Sequence, residues 1–208
     1  MKKFLLPLLL IAVVIFHGCG AVEQAVDNIM MGSYEIGTID GDNFESEWLS
    51  LRFTAPEGFL MSSREEMMEM MAVGMEMMDV DAGTAAWADM ATVSEMSAML
   101  PTGLASATVV TERVFQAAMT VEQYVEAAIQ GVETALGWDV TLTSEITPIN
   151  FAGQQWYTYT ANIEAFGMDW SYRYFVRRFD NRMALITIYA LEGQEDYLDV
   201  LTDAFRAY

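Results

Sequence analysis

Residues 151–163 (FAGQQWYTYTANI), 168–178 (MDWSYRYFVRR) and 182–191 (RMALITIYAL) decide the fold. Each run is rich in β-branched and aromatic residues and is long enough for a strand. Only a few residues separate them, with Asp180-Asn181 between the last two, so they read as hairpin-connected strands. Residues 139–147 come just before, with Val140, Leu142, Ser144 and Ile146 alternating with polar neighbours. That alternation predicts a half-buried strand, set off from the next by Pro148-Ile149-Asn150. The four together predict an antiparallel meander. Within it Tyr157, Tyr159, Ala161 and Ile163 share one face, and Trp156, Thr158, Thr160 and Asn162 share the other.

Helices flank this meander. Thr120 with Gln123 spells a capping box, and Val121, Tyr124, Val125, Ala128, Val132, Ala135 and Leu136 recur at helical spacing up to Gly137. Glycine there suits the left-handed turn that ends a helix. Ser63 with Glu66 spells a second capping box, opening a helix to about Met78. Residues 192–205 carry Tyr197, Leu201 and Phe205 four apart and predict a last helix. Residues 105–114 and 87–93 read as strands, and 94–103, with Pro101 and Gly103, as a loop. Asp40-Gly41 between runs 33–39 and 42–54 predicts a hairpin. No βαβ rhythm is present. The expectation is an α+β fold, an antiparallel sheet of about six to seven strands flanked by three helices, in a single domain over residues 33–208.

The first eighteen residues read differently. Met1-Lys2-Lys3 is a basic start, residues 4–16 are apolar apart from Pro7, and Gly18-Cys19 follows. A basic head, a short apolar core and a small-residue cut site predict a secretory signal over 1–18. The apolar run falls short of the roughly 20 residues that a spanning helix needs. Cys19, the only cysteine, stands where a bacterial lipoprotein is acylated, with Phe16 and His17 where leucine and a small residue are usual. The expectation is a palmitate-type lipid anchor on Cys19, a tether over 19–32, and a domain held outside the cytoplasm in the cell envelope. The plain alternative is an ordinary cleaved leader with an incidental cysteine.

Charge narrows the partners. The whole chain carries a formal charge of −20, with 10 basic and 30 acidic residues. Loss of Lys2 and Lys3 with the leader leaves a net charge near −22, every remaining base an arginine. Such a surface opposes nucleic acid and anionic lipid alike, so membrane attachment rests on the lipid at Cys19. A lone thiol forms no internal disulfide. The single histidine, His17, also leaves with the leader, which removes Ser-His and Cys-His catalytic arrangements. No catalytic residue and no cofactor is expected.

Three constellations remain. Residues 61–78 hold eight methionines. At 100° per residue, Met67, Met71, Met75, Met68 and Met78 fall within about 100° of one another, opposite a glutamate face. Met67, Met71, Met75 and Met78 thus form a candidate thioether site for Cu(I) or Ag(I), since soft sulfur selects such ions. Flexible methionine packed as core, or lining a pliable groove, is the plainer use of the same face. Arg173, Arg177, Arg178 and Arg182 are half of the arginines and flank one hairpin. They form a candidate patch for an anionic ligand or partner, or else they balance neighbouring acids. Trp156 is a candidate for stacking on a sugar or partner if its face is open, and for cross-strand packing if it is not.

Gly37-Thr38-Ile39-Asp40-Gly41-Asp42-Asn43-Phe44 and Leu51-Arg52-Phe53-Thr54-Ala55-Pro56-Glu57-Gly58-Phe59 carry a resemblance. Together with Ser62-Ser63-Arg64-Glu65-Glu66, Asp89-Met90-Ala91 and the hairpin at 177–183, they resemble a group of uncharacterised lipoproteins of gut clostridia. That group is similar in layout to the PsbP-like fold. The resemblance implies an antiparallel sheet with helices on its faces and assigns no activity. The overall expectation is a non-enzymatic, surface-tethered binding or interaction module, with an extracytoplasmic Cu(I)/Ag(I) binder as the alternative.

Overall fold

In the computed structural model, residues 34–77, 91–114, 116 and 118–208 are described. Cys19, the leader and the tether lie outside them. Strands β1 (Thr38–Asp40), β2 (Asn43–Ser46) and β3 (Leu51–Thr54) lead to β4 (Leu60–Met61) and helix α1 (Arg64–Met77). Strands β5 (Thr92–Met99) and β6 (Ala105–Arg113) precede helix α2 (Val121–Leu136). Then come β7 (Val140–Leu142), β8 (Thr147–Phe151), β9 (Gln154–Ala165), β10 (Met168–Phe179) and β11 (Arg182–Leu191). Helix α3 (Asp196–Thr202) and strand β12 (Phe205–Ala207) close the chain.

The strands form two sheets. One has four strands in the order β1-β2-β3-β12; the other has eight, in the order β4-β5-β6-β11-β10-β9-β7, with β8 beside β9. All recorded pairings are antiparallel. Among the described residues the α+β class with three helices is as the sequence predicts, and the strands are more numerous. One face of the large sheet packs against the small sheet and α3 through Phe44, Phe53, Phe175, Ile186 and Leu201. The opposite face packs under α2 through Tyr124, Val125, Tyr159, Tyr172 and Val176.

Both capping boxes form. Glu66 N–H donates to Ser63 Oγ at 3.3 Å and Ser63 N–H to Glu66 Oε2 at 2.7 Å. Thr120 and Gln123 exchange the same pair at 3.3 and 3.0 Å, and Gly137 ends α2 at φ 65°. The Asp40-Gly41 hairpin also forms, with Asp40 paired to Asn43 and Gly41 at φ 56°.

Four expectations are corrected. Residues 94–99 are strand, not loop: they lack β-branched side chains, but Met96, Ser97 and Ala98 are buried and pairing with β6 decides their conformation. Of residues 139–147 only Val140–Leu142 and Thr147 are strand, and β8 runs from Thr147 through Pro148-Ile149-Asn150 to Phe151. Both β7 and β8 lie on the outer side of β9, an edge position where proline's missing N–H costs no ladder bond. The run 42–54 breaks at residues 47–50, where Ser46 Oγ accepts from Leu49 N–H and Ser50 adopts φ 54°. The last helix stops at Thr202, because Phe205 is drawn into the core against Phe53 and Phe151 as part of β12.

Candidate functional site

The predicted arginine patch does not converge. Arg173 donates to Asp199 Oδ1 at 2.8 Å, to Thr202 Oγ1 at 2.9 Å and to Leu198 C=O, fastening α3 to β10. Arg177 donates to Gln154 Oε1 at 3.1 Å and lies over the Phe179 ring. Arg178, on the opposite face, donates to the carbonyls of Met119 and Asp180. Arg182 is buried with its guanidinium 4.0 Å above the Tyr34 ring. Each cation is committed to a neighbour in the fold. Trp156 is fully buried, edge-on to Phe151 and Phe179, in the cluster shared with Phe44, Phe53 and Phe205 of the small sheet, so its face is closed.

Arg182 belongs to a polar knot at the junction of the two sheets. Ser94 pairs with Val110 and Met96 with Val109, leaving Glu95 as the extra residue of a β-bulge. The bulge aims its carboxylate at Tyr34 O–H, which donates at 2.5 Å, and Gly37 N–H, which donates at 2.8 Å. Thr111 O–H donates to the Tyr34 oxygen at 3.1 Å, and Trp48 meets the Tyr34 ring edge-on. Arg64 donates to the carbonyls of Gly37 and Ser94, tying the start of α1 to the same place. Burial pushes the Glu95 carboxyl pKa up, opposed by these donors and by Arg64. Burial, and then the Glu95 charge, push the Tyr34 phenol up as well. The knot fixes the first described residue after the tether. Glu95 was not legible, because the sequence places it in a loop.

The helix-covered face of the large sheet is chemically different. Ser97, Thr108, Thr187, Tyr174 and Tyr159 stand directly opposite one another across β5, β6, β11, β10 and β9. Directly opposed residues point to the same face, so five hydroxyl groups form one row. Ser97, Thr108 and Thr187 are each 1% exposed, and none of the three hydroxyls has a hydrogen-bond partner. An unpartnered buried hydroxyl costs about 1–3 kcal/mol, so three on neighbouring strands are an expensive arrangement for a merely structural core. The next row holds Ser106, Tyr189 and Tyr172; Ser106 donates to Ala98 C=O at 2.9 Å. Tyr174 stacks on Tyr159 at 4.6 Å and on Tyr172 at 5.7 Å between ring centres.

Glu112 lies on this face too, buried beneath α2. Its Oε2 accepts from Tyr124 O–H at 2.7 Å, while Oε1 has no partner. Burial is the dominant cause that raises its pKa to about 7, against the lowering effect of the Tyr124 bond. The alternation of residues 105–114 puts Ser106, Thr108, Val110 and Glu112 on one side. That was the available signal for this row, and the β-branched composition of the run masked it.

The methionine helix divides its sulfurs. Met67 is buried at 3% exposure, while Met68 is 61% exposed. Met71 Sδ accepts a hydrogen bond from Ser94 O–H at 3.3 Å. Met75 lies in the last turn of α1 and Met78 outside the described residues. Met67 is therefore a core residue, not a free ligand. Among the described residues, no helix is long and apolar enough to cross a membrane.

No protein-family model matches the chain, and no curated protein sequence matches it. Among solved structures, LpqN, involved in cell envelope biogenesis of Mycobacterium tuberculosis, is 8% identical, with 90% of this chain and 98% of that chain covered and a TM-score of 0.40. A protein of Bacteroides thetaiotaomicron is 6% identical over 82% of this chain and 49% of that chain, with a TM-score of 0.43. The solution structure of cyanobacterial PsbP (CyanoP) from Synechocystis is 12% identical, covers 86% of this chain and 99% of that chain, and gives a TM-score of 0.51. This last likeness shows a PsbP-like fold.

Proposed function

We propose that the chain is a non-enzymatic, surface-tethered binding module, akin to the gut-clostridial lipoproteins whose motifs it resembles. Lipid on Cys19 holds it outside the cytoplasm, and the helix-covered face of the large sheet receives a small ligand. The observation that carries the binding reading is the row of Ser97, Thr108 and Thr187, three buried hydroxyls with unfilled hydrogen-bonding capacity. Folds spend such groups where something other than the fold completes them. The knot of Tyr34, Glu95 and Arg182 suits a tethered domain, since it fastens the residue where the tether enters.

The copper reading is weaker: burial of Met67 and the hydrogen bond to Met71 engage two of its four candidate sulfurs. The tethering and binding claims share one test. Native mass spectrometry of the protein extracted from its own membranes should give a species beginning at Cys19 with a diacylglyceryl-sized addition, carrying a small noncovalent adduct. An unmodified Cys19 would remove the lipid anchor. A bare polypeptide with no adduct would remove the binding site.

A further inference from the structure

We infer that the tip of the β9–β10 hairpin, with Phe166 at its apex, is the docking surface for a protein partner that offers an apolar pocket rimmed by lysine or arginine. This surface is independent of the hydroxyl row.

Ala165 pairs with Met168, so Phe166 and Gly167 alone make the turn, at φ 59° and 72°. A two-residue turn with both φ positive favours asparagine or aspartate followed by glycine. Gly167 meets that need. Phe166 does not, because a bulky side chain crowds the backbone in the left-handed region. The fold gives the ring little in return. It is 56% exposed, and its aromatic contact among the described residues is with Trp138, edge-on at 5.2 Å between ring centres. Strain of this kind persists where something besides the local fold makes use of it.

Phe166 is not an isolated apolar residue. Trp138, Val140 and Leu142 alternate from the end of α2 into β7 at the edge of the large sheet, with Val140 opposite Ile163 and Leu142 opposite Ala161. Trp138 and Val140 are half-buried, and Leu142 is 43% exposed. With half-buried Met168 beside the turn, they form an apolar strip open to solvent, the kind of surface that marks a protein contact.

Acids border the strip. Glu164 and Asp169 stand directly opposite one another at the base of the turn, a like-charge pairing that costs stability. Both are exposed, as are Asp139, next to Trp138, and Glu192, whose N–H donates to Asp169 C=O at 2.9 Å. The nearest arginine along β9 or β10 is Arg173, four residues beyond Asp169 and bonded to Asp199. An apolar centre with an acidic rim is complementary to an apolar pocket with a basic rim. A second copy of the chain would set acid against acid, and anionic lipid would meet the same repulsion.

Photo-crosslinking tests the surface. The full chain, with p-benzoylphenylalanine in place of Phe166, is irradiated with the envelope fraction of the cells that make it, and the captured species is identified by mass spectrometry. One protein should be captured, and its yield should fall about fivefold as NaCl rises from about 50 mM to about 500 mM, because salt screens the charged rim. Excess unlabelled wild-type chain should suppress capture. The Phe166→Asn variant should not, although its midpoint of thermal unfolding stays level with the wild type or rises, since asparagine suits the turn. Capture that salt leaves unchanged, capture of lipid or of a second copy of the chain, or capture no stronger than from the same probe at Val200, 44% exposed on α3, overturns the assignment. Suppression by the asparagine variant equal to that by the wild type overturns it too. A midpoint lowered by more than about 4 °C in that variant would show that the ring serves the fold, and would overturn it as well.

Discussion

Glu112→Gln makes the protein more stable at neutral and alkaline pH and leaves it unchanged near pH 4. In the folded chain the carboxyl is buried beneath α2, with one oxygen bonded to Tyr124 and the other unpartnered, and its pKa rises from 4.5 to about 7. Below pH 4.5 folded and unfolded chains are both protonated at this site, and it contributes no pH dependence. Between there and about pH 7 the folded state holds a proton that the unfolded state has released, so stability falls as pH rises, and above that window the loss is complete. At about 1.4 kcal/mol per unit the loss amounts to roughly 3 kcal/mol. Glutamine keeps an oxygen acceptor for Tyr124 and never ionises, so the falling limb should flatten. Glu95, also pushed up by burial, leaves a residual slope of the same sign. Urea denaturation at half-unit steps from pH 4 to pH 8 measures it; a variant curve parallel to that of the wild type would show that Glu112 is not the group responsible.

Trp156→Ala lowers stability by about 3–5 kcal/mol, the range for deleting a large buried aromatic side chain. Trp156 is fully buried between Phe151 and Phe179, at the seam of the two sheets. At roughly 2–4 °C per kcal/mol for a chain of this size, the midpoint of thermal unfolding should fall by about 10 °C. Trp156→Phe should cost far less, because the indole N–H has no partner to lose. A tryptophan kept for ligand stacking would show the reverse pattern, with little change in melting.

Much of this fold is legible along the chain, for local reasons. Thr120 and Gln123, Ser63 and Glu66, Gly137 and Asp40-Gly41 act on their immediate neighbours, and each does what its chemistry predicts. The aromatic runs around Trp156, Tyr172 and Ile186 fill the large sheet for the same reason. What could not be read is set by distant partners. Residues 94–99 become a strand because β6 pairs with them, and Phe205 leaves its helical register because Phe53 and Phe151 wait across the core. The site follows the same division. The arginines stand out in sequence because they are rare, yet Asp199, Gln154, Met119 and Tyr34 engage them one by one. Ser97, Thr108 and Thr187 are unremarked singly; register alone, across the neighbouring strands β5 and β6 and the distant β11, brings them into a row.

That row is the centre of the account, and thermal unfolding of the ligand-free Thr108→Val, Thr187→Val variant tests it most directly. If the hydroxyls are unpartnered in the fold and kept for a ligand, an isosteric methyl relieves two buried polar groups. The midpoint should then rise by about 4–8 °C, corresponding to about 1 kcal/mol per site. A midpoint that falls instead would mean that the hydroxyls already have partners in the free protein, and the face would be core and no binding site.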